Sequence, residues 1–312
     1  MKLKLSLSII IFFLLINEYT SSQVLLSNPI CIEREDGSVI QYYLELNNKN
    51  AHEPRTLFLF LQGSDYNSVR GLPSLNIIKS IYPNADVLTI EKYGITDTLS
   101  YSTQIRGALS DDYAKFDTPL QRVYDAERVI EILWNNYNYD SLIVLGGSEG
   151  ATVAYILASE SQRVNATITI GGGGRFFMDD VICSIEATDL PNEEKIKEIE
   201  GFKSFSQFII SQDSLDFTMS DHGFNYWKTI LNIDQQEIIS RVSTPILILQ
   251  GGKDISVSPE KTTEMVGKLR EIGKSNIDYY FYPEYDHSLN VSEDETAREK
   301  VISDIRNWIQ KL

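Results

Sequence analysis

The stretch Leu142–Ser159, "LIVLGGSEGATVAYILAS", decides how the rest of the chain is read. A solid apolar run stops at Gly146-Gly147, Ser148 follows, and Glu149 and Gly150 lead into a second apolar segment. The first part has strand length and no polar alternation, the pattern of a strand buried on both faces. The second has the length and composition of a helix. Gly146, Ser148 and Gly150 fit G-x-S-x-G, in which a serine sits on a sharp strand-to-helix turn that bulky neighbours would prevent from closing. The helix that follows aims its N-terminus, with its free N–H groups, at the serine, a setting that favours negative charge. A serine that merely caps a helix is the plain alternative.

The same rhythm recurs on either side. "RTLFLFLQG", "ADVLTIEKYG", "ATITIGGGG" and "TPILILQGG" are largely apolar runs of strand length that end in glycine. Helical patterns alternate with them. "TPLQRVYDAERVIEILWNN" starts at a proline and lines up Val123, Ala126, Val129, Ile130 and Leu133 on one face, and "SPEKTTEMVGKLREIGK" and the C-terminal "SEDETAREKVISDIRNWIQKL" follow later. The expected architecture is therefore α/β: a mostly parallel central sheet flanked by helices. Near the start, "ICIERE" and "SVIQYYLEL" are joined by Asp36-Gly37, which predicts an antiparallel N-terminal hairpin at one edge. Residues 175–242 break the rhythm with helical patterning and no clear buried strand, far longer than a usual connection of about 2–6 residues. They are read as a helical cap insertion over the carboxyl edge of the sheet, between core segments 23–174 and 243–312, with a decorative insertion as the alternative. Ligands of such sheets bind at that edge.

Residues 1–22 read as a secretory signal peptide: Lys2 and Lys4, an apolar run from Leu5 to Ile16, then Thr20 and Ser22 as small residues flanking the cut. The apolar run is well short of the roughly 20 residues that span a bilayer, so no stable membrane anchor is expected after cleavage, and the mature protein would be secreted or periplasmic. Of 312 residues, 28 are Lys or Arg and 44 are Asp or Glu, a formal net charge of -16. That surface repels phosphate backbones and argues against a nucleic-acid partner. The two cysteines, Cys31 and Cys183, either pair in an oxidising compartment or stand as separate thiols. "NAT" at Asn165 and "NVS" at Asn290 are glycosylation sequons only in a eukaryotic host.

A serine nucleophile needs a base, and the base needs an orienting carboxylate. The chain has three histidines. His52 lies in a polar loop, and His222 lies in the cap, where it reads as a surface residue. His287 follows the last strand-like run, "DYYFYPEYD", and is the best base. Asp254 lies just past "LILQGG" and is the best acid, with Asp286 and Glu284 as rivals. Order along the chain is then Ser148, Asp254, His287. No HExxH, CxxC or other metal-ligand spacing occurs, and "GGGGRF" lacks the rest of a dinucleotide fingerprint, so neither metal nor cofactor is expected.

"LGGSEG", "LQGGKDISVSP" and "YPEYDHSL" resemble the nucleophile, acid and histidine motifs of the α/β-hydrolase superfamily, and the resemblance spans nearly the whole chain after residue 22. The S-E-G turn and simple cap are similar to serine aminopeptidase-like, dienelactone hydrolase-like and acyl-thioesterase-like members. The resemblance implies a Ser148–His287–Asp254 triad and an oxyanion hole built from the backbone N–H groups of Glu149 and Ser64. Family members commonly carry His-Gly where this chain has Gln62-Gly63. Tyr66 could add a side-chain donor or simply pack, and the Glu149 side chain is a specificity group or faces solvent. The expected substrate is a small molecule or acyl compound, cleaved at an ester or thioester. A peptidase of the same fold, or a non-catalytic binding module with a decayed site, are the alternatives.

Overall fold

A computed structural model describes residues 28–47, 55–104, 109–292, 294 and 296–312. The expected signal peptide and His52 lie outside these residues. In chain order the elements of the first half are β1 (Ile30–Glu33), β2 (Val39–Glu45), β3 (Arg55–Leu61), α1 (Leu75–Ile81), β4 (Asp86–Ile90), α2 (Asp111–Phe116), α3 (Pro119–Asn136), β5 (Tyr139–Gly147), α4 (Glu149–Glu160) and β6 (Val164–Ile170). The insertion supplies α5 (Phe177–Glu186), α6 (Asn192–Ser211), the short β7 (Thr218–Met219) and β8 (His222–Gly223), α7 (Phe224–Ile230) and α8 (Gln235–Arg241). The chain then completes the sheet with β9 (Ile246–Gly251), α9 (Pro259–Glu271), β10 (Ile277–Tyr282) and α10 (Thr296–Ile309).

Among the described residues the main sheet has eight strands in the order β1-β2-β4-β3-β5-β6-β9-β10. The pairs from β4 through β10 are parallel, and β2 runs antiparallel to both β1 and β4, so the expected hairpin forms one edge. The unbroken apolar strands feed two cores at once. On β5, Leu142 and Val144 enter one core while Ile143 and Leu145 enter the other. β3 and β9 divide their residues the same way, Leu57 and Leu59 against Phe58 and Phe60, Ile246 and Ile248 against Leu247 and Leu249. A side-chain period of two on a strand covered on both faces requires this.

α3 covers the first face with the residues its spacing marked, Val123, Ala126, Val129, Ile130 and Leu133. Its start is set by Pro119 in the first turn and by Thr118, whose side chain accepts a hydrogen bond from Gln121 N. α10 covers the second face with Val301, Ile302, Ile305 and Trp308.

The insertion has its own apolar cluster, centred on Phe202, Phe205, Trp227 and Ile230. The segment read as one helix, "FNYWKTILNIDQQEIISRV", is two: Asp234 ends the linker and caps α8 by accepting from Glu237 N. α8 does not belong to the cap's cluster, because Ile239 and Val242 pack into the main core. Cys31, exposed on β1, and Cys183 on α5 are both free thiols. Among the described residues, no helix is long and apolar enough to cross a membrane.

Candidate active site

Ser148 ends β5 and opens α4 with φ 53° and ψ -125°. A non-glycine residue holds such a conformation at a cost of about 1–3 kcal/mol, and only when its surroundings enforce it. The flanking glycines do so here. A Cβ at Gly146 would lie 2.1 Å from the Gly150 carbonyl oxygen, and one at Gly150 would lie 2.1 Å from that of Leu61. Strand, turn and helix therefore interlock at backbone contact distance, which gives the G-x-S-x-G spacing its steric cause.

His287 lies in the loop after β10, and its Nδ1 is 2.8 Å from Asp254 Oδ2. Asp254 follows β9 and is fully engaged. Oδ1 accepts from Ser256 N at 2.9 Å and Val257 N at 3.0 Å, and Oδ2 also accepts from Gln250 Nε2 at 3.0 Å. Burial alone would lower the His287 pKa, but the neighbouring Asp254 carboxylate outweighs it, so the imidazole titrates above its ordinary 6.5. Asp286, one of the rival acids, instead accepts from Ser288 N and Asn290 N in its own loop, and Glu284 pairs with Lys253 at the surface.

Ser148, His287, Glu149 and Ser64 all line one cavity of about 300 Å³. Asp254 is not among its lining residues and stands behind His287. Tyr66 is a packing residue: its ring lies 4.5 Å from that of Tyr113, and its hydroxyl accepts from Ser110 N.

Two expectations about the cap and the turn are corrected. His222 is not on the cap surface; it is 3% exposed, its ring stacks on Tyr226 with centroids 3.6 Å apart, and its Nδ1 lies 3.3 Å from the Tyr113 hydroxyl. The Glu149 side chain does not face solvent. It is buried against Arg122, whose Nη1 donates to Oε1 at 2.6 Å while Nη2 donates to the Gln62 carbonyl at 2.6 Å. Burial would raise the Glu149 carboxyl, but Arg122, Lys92 and the Tyr226 hydroxyl hold it below its ordinary value. Burial pushes His222 down to about 3, so it is neutral at pH 7.

Behind this group lie Lys92, which donates to the Asp65 carbonyl, and Asp117, a buried carboxylate with neither oxygen hydrogen-bonded, pushed by burial up to about 7. A second buried acid, Asp180 of α5, borders the cavity and accepts from Ser258 N and Gly174 N; burial raises it to about 7. Sequence reading missed Arg122, Lys92, Asp117 and Asp180. Arg122 alone left a signal: it falls on the apolar stripe of α3, one turn before Ala126 and two before Val129. Among the described residues, no group of three His, Cys, Asp or Glu side chains is placed to hold a metal ion.

The strand order, the strained serine turn after the central strand and the helices on both faces define an α/β hydrolase. Solved structures with this fold include Est1E from Butyrivibrio proteoclasticus, with a TM-score of 0.60 and 15% identity over 91% of this chain and 98% of that one. The Pyrococcus furiosus esterase Pf2001 gives a TM-score of 0.59 and 14% identity over 91% and 90%. A highly thermostable carboxyl esterase from Bacillus coagulans gives 0.61 and 16% over 91% and 98%. No curated protein matches the chain in sequence. Residues 127–292 match the family described as BAAT / Acyl-CoA thioester hydrolase C terminal, and the chain belongs to that family. It is an α/β hydrolase of the esterase and acyl-CoA thioester hydrolase type.

Proposed function

We propose that the protein is an exported serine hydrolase that cleaves a carboxylic ester or thioester through an acyl-enzyme. The observation that carries the reading is that Ser148, on its strained turn, and His287, hydrogen-bonded to Asp254, open onto the same cavity. In the first step Ser148 Oγ attacks the acyl carbonyl and its proton passes to His287 Nε2. Asp254 keeps the Nδ1 proton in place and stabilises the imidazolium. The backbone N–H of Glu149 and that of Ser64 hold the developing oxyanion. His287 then protonates the leaving alcohol or thiol, and a water activated by the same imidazole hydrolyses the acyl-enzyme. None of these steps calls on a cofactor. Export rests on the charge and hydropathy pattern of residues 1–22.

The family's description favours a second reading of the substrate, an acyl-CoA thioester. The experiment is fluorophosphonate labelling of the protein beginning at Gln23, beside Ser148→Ala and His287→Ala, followed by hydrolysis of p-nitrophenyl esters, acyl-CoAs and aminoacyl-p-nitroanilides. Labelling lost in both variants supports the activated serine. A folded wild type that takes no label overturns it and leaves a non-catalytic binding module. The panel separates ester, thioester and peptide.

A further inference from the structure

The cavity at Ser148 has two apolar arms, and they are built differently. One lies beneath the cap, against Val181, Trp227 and Ile230. The other leaves the site between α1 and α10, against the second face of the sheet. Ile77, Ile78 and Ile81 of α1 form one wall, Val301, Ile302 and Ile305 of α10 the other, and Phe60 and Leu145 lie at the sheet. These side chains belong to the core on the second face of the sheet, yet they line an open space continuous with Ser148 and His287. At the near end Arg298 borders the space while its guanidinium donates to Asn290, three residues past His287. At the far end Arg306 donates twice to the Ser80 carbonyl, clasping α1 to α10 beside Ile81 and Ile305. Both of those isoleucines are buried. The arm is thus an apolar channel whose far end is crossed by the Arg306–Ser80 clasp.

We propose that this channel between α1 and α10 receives the acyl chain of the substrate and sets its length, with Ile77, Ile302 and Ile305 as the measuring residues. The inference rests on the serine-hydrolase reading. A channel clasped at its far end suits the acyl group, because that part stays covalently held on Ser148 after the alcohol or thiol has left. The leaving group must exit, and the arm under the cap is the other way from the site. From Arg298 to Ile305 the channel follows α10 for about 10 Å at 1.5 Å per residue. With carbon–carbon bonds of about 1.5 Å in zigzag, that length holds on the order of eight methylene groups. The substrate class is therefore an ester or thioester of an unbranched acyl chain of medium length.

The test is kcat/KM for p-nitrophenyl esters from acetate to dodecanoate, in the wild type and in Ile302→Trp, Ile77→Phe and Ile305→Ala. For the wild type, kcat/KM rises about fourfold per added methylene and stops rising at about eight to ten carbons, where the channel is full. Ile302→Trp and Ile77→Phe, from opposite walls, each lower the ratio of decanoate to acetate kcat/KM at least about tenfold. Ile305→Ala moves the optimum up by about two carbons. Alkyl acetates of increasing alcohol length show no such series. The inference is overturned if the filled variants keep the wild-type chain-length profile while an ethyl fluorophosphonate still labels them at the wild-type rate. Where Ile302→Trp does not fold, Ile77→Phe and Ile305→Ala decide alone. A wild type that takes no label and hydrolyses no ester fails earlier, at Ser148, and overturns the channel with it. Normal labelling with a flat chain-length profile overturns the channel alone.

Discussion

Replacing Asp254 by asparagine changes one atom, and the surrounding hydrogen bonds dictate which way the new amide points. Oδ1 accepts from two backbone N–H groups, Ser256 and Val257, so the amide oxygen must stay there. The NH2 is then forced to the Oδ2 position, where it faces Gln250 Nε2 and His287 Nδ1. Two donors already point at that position, so His287 can meet it only by presenting an unprotonated Nδ1. That moves the ring proton to Nε2, the nitrogen that must accept from Ser148. The expected loss is about 10⁴ in kcat, or about 5 kcal/mol of transition-state stabilisation, because geometry survives and the tautomer is wrong.

The assay is kcat and KM on a p-nitrophenyl ester as a function of pH. In the wild type, kcat/KM rises with pH as His287 loses its proton, with the midpoint above 6.5, since the neighbouring carboxylate overcomes the lowering effect of burial. In Asp254→Asn the carboxylate is gone and burial remains, so the acid limb moves to lower pH while the plateau falls. KM should change little. A variant that keeps more than about a tenth of wild-type kcat, or whose acid limb stays in place, refutes the assignment of Asp254 as the orienting acid.

Three further outcomes follow from the buried groups around the serine turn. Arg122→Met strips the partner from a buried carboxylate and should lower stability by about 3–5 kcal/mol in urea unfolding, with more than half recovered in the Arg122→Met/Glu149→Gln double variant; strictly additive losses would mean that the pair is not coupled. Asp117 titrates near 7 in the folded protein and near its ordinary 3.8 when unfolded, so it takes stability away as pH rises across that window. Asp117→Asn should therefore lose less Tm than the wild type between pH 5 and pH 8, and parallel curves would count against it. Gly150→Ala would drive a Cβ into the Leu61 carbonyl, and circular dichroism should find the variant unfolded or recover it insoluble; a folded, fully active variant would contradict the turn geometry.

The parts of this fold that were legible in the sequence share one physical cause. A strand covered on both faces must be apolar throughout, so β3, β5 and β9 announced themselves without any partner in view, and glycine marked each carboxyl end. Ser148 and Asp254 stood out as candidates because each follows such a strand, and His287 because it follows the last strand-like run, where the topology collects loops on one edge. Asp117, Lys92 and Asp180 did not. A charged residue at the end of a strand-like run or beside another charge, as with Glu91-Lys92 and Asp179-Asp180, reads as solvated surface, and only tertiary packing reverses that. The break between α7 and α8 was missed for a related reason: Asp234 caps a helix, but its capping role competes with an apolar pattern that runs on past it through Ile238 and Ile239.

The misreading of His222 has the most consequence for how the cap is understood. Nothing in "SDHGFNYW" points inward, since the histidine lies in a polar turn with no apolar stripe of its own. Its burial comes from contact with two other elements. Gly223 lies so close to α2 that a Cβ there would sit 1.6 Å from the Ala114 carbonyl, and this brings His222 against Tyr113 and carries Tyr226, on the next turn, to Glu149. Glu149 is the residue whose backbone N–H opens α4 beside Ser148. The cap therefore does not only roof the cavity. Tyr226 stands near enough to the carboxylate that Arg122 holds to influence its ionisation, and Arg122 in turn holds the Gln62 carbonyl on the opposing loop. Both backbone segments assigned to the oxyanion hole are tied to one buried charge pair, and the cap faces that pair through the ring of Tyr226.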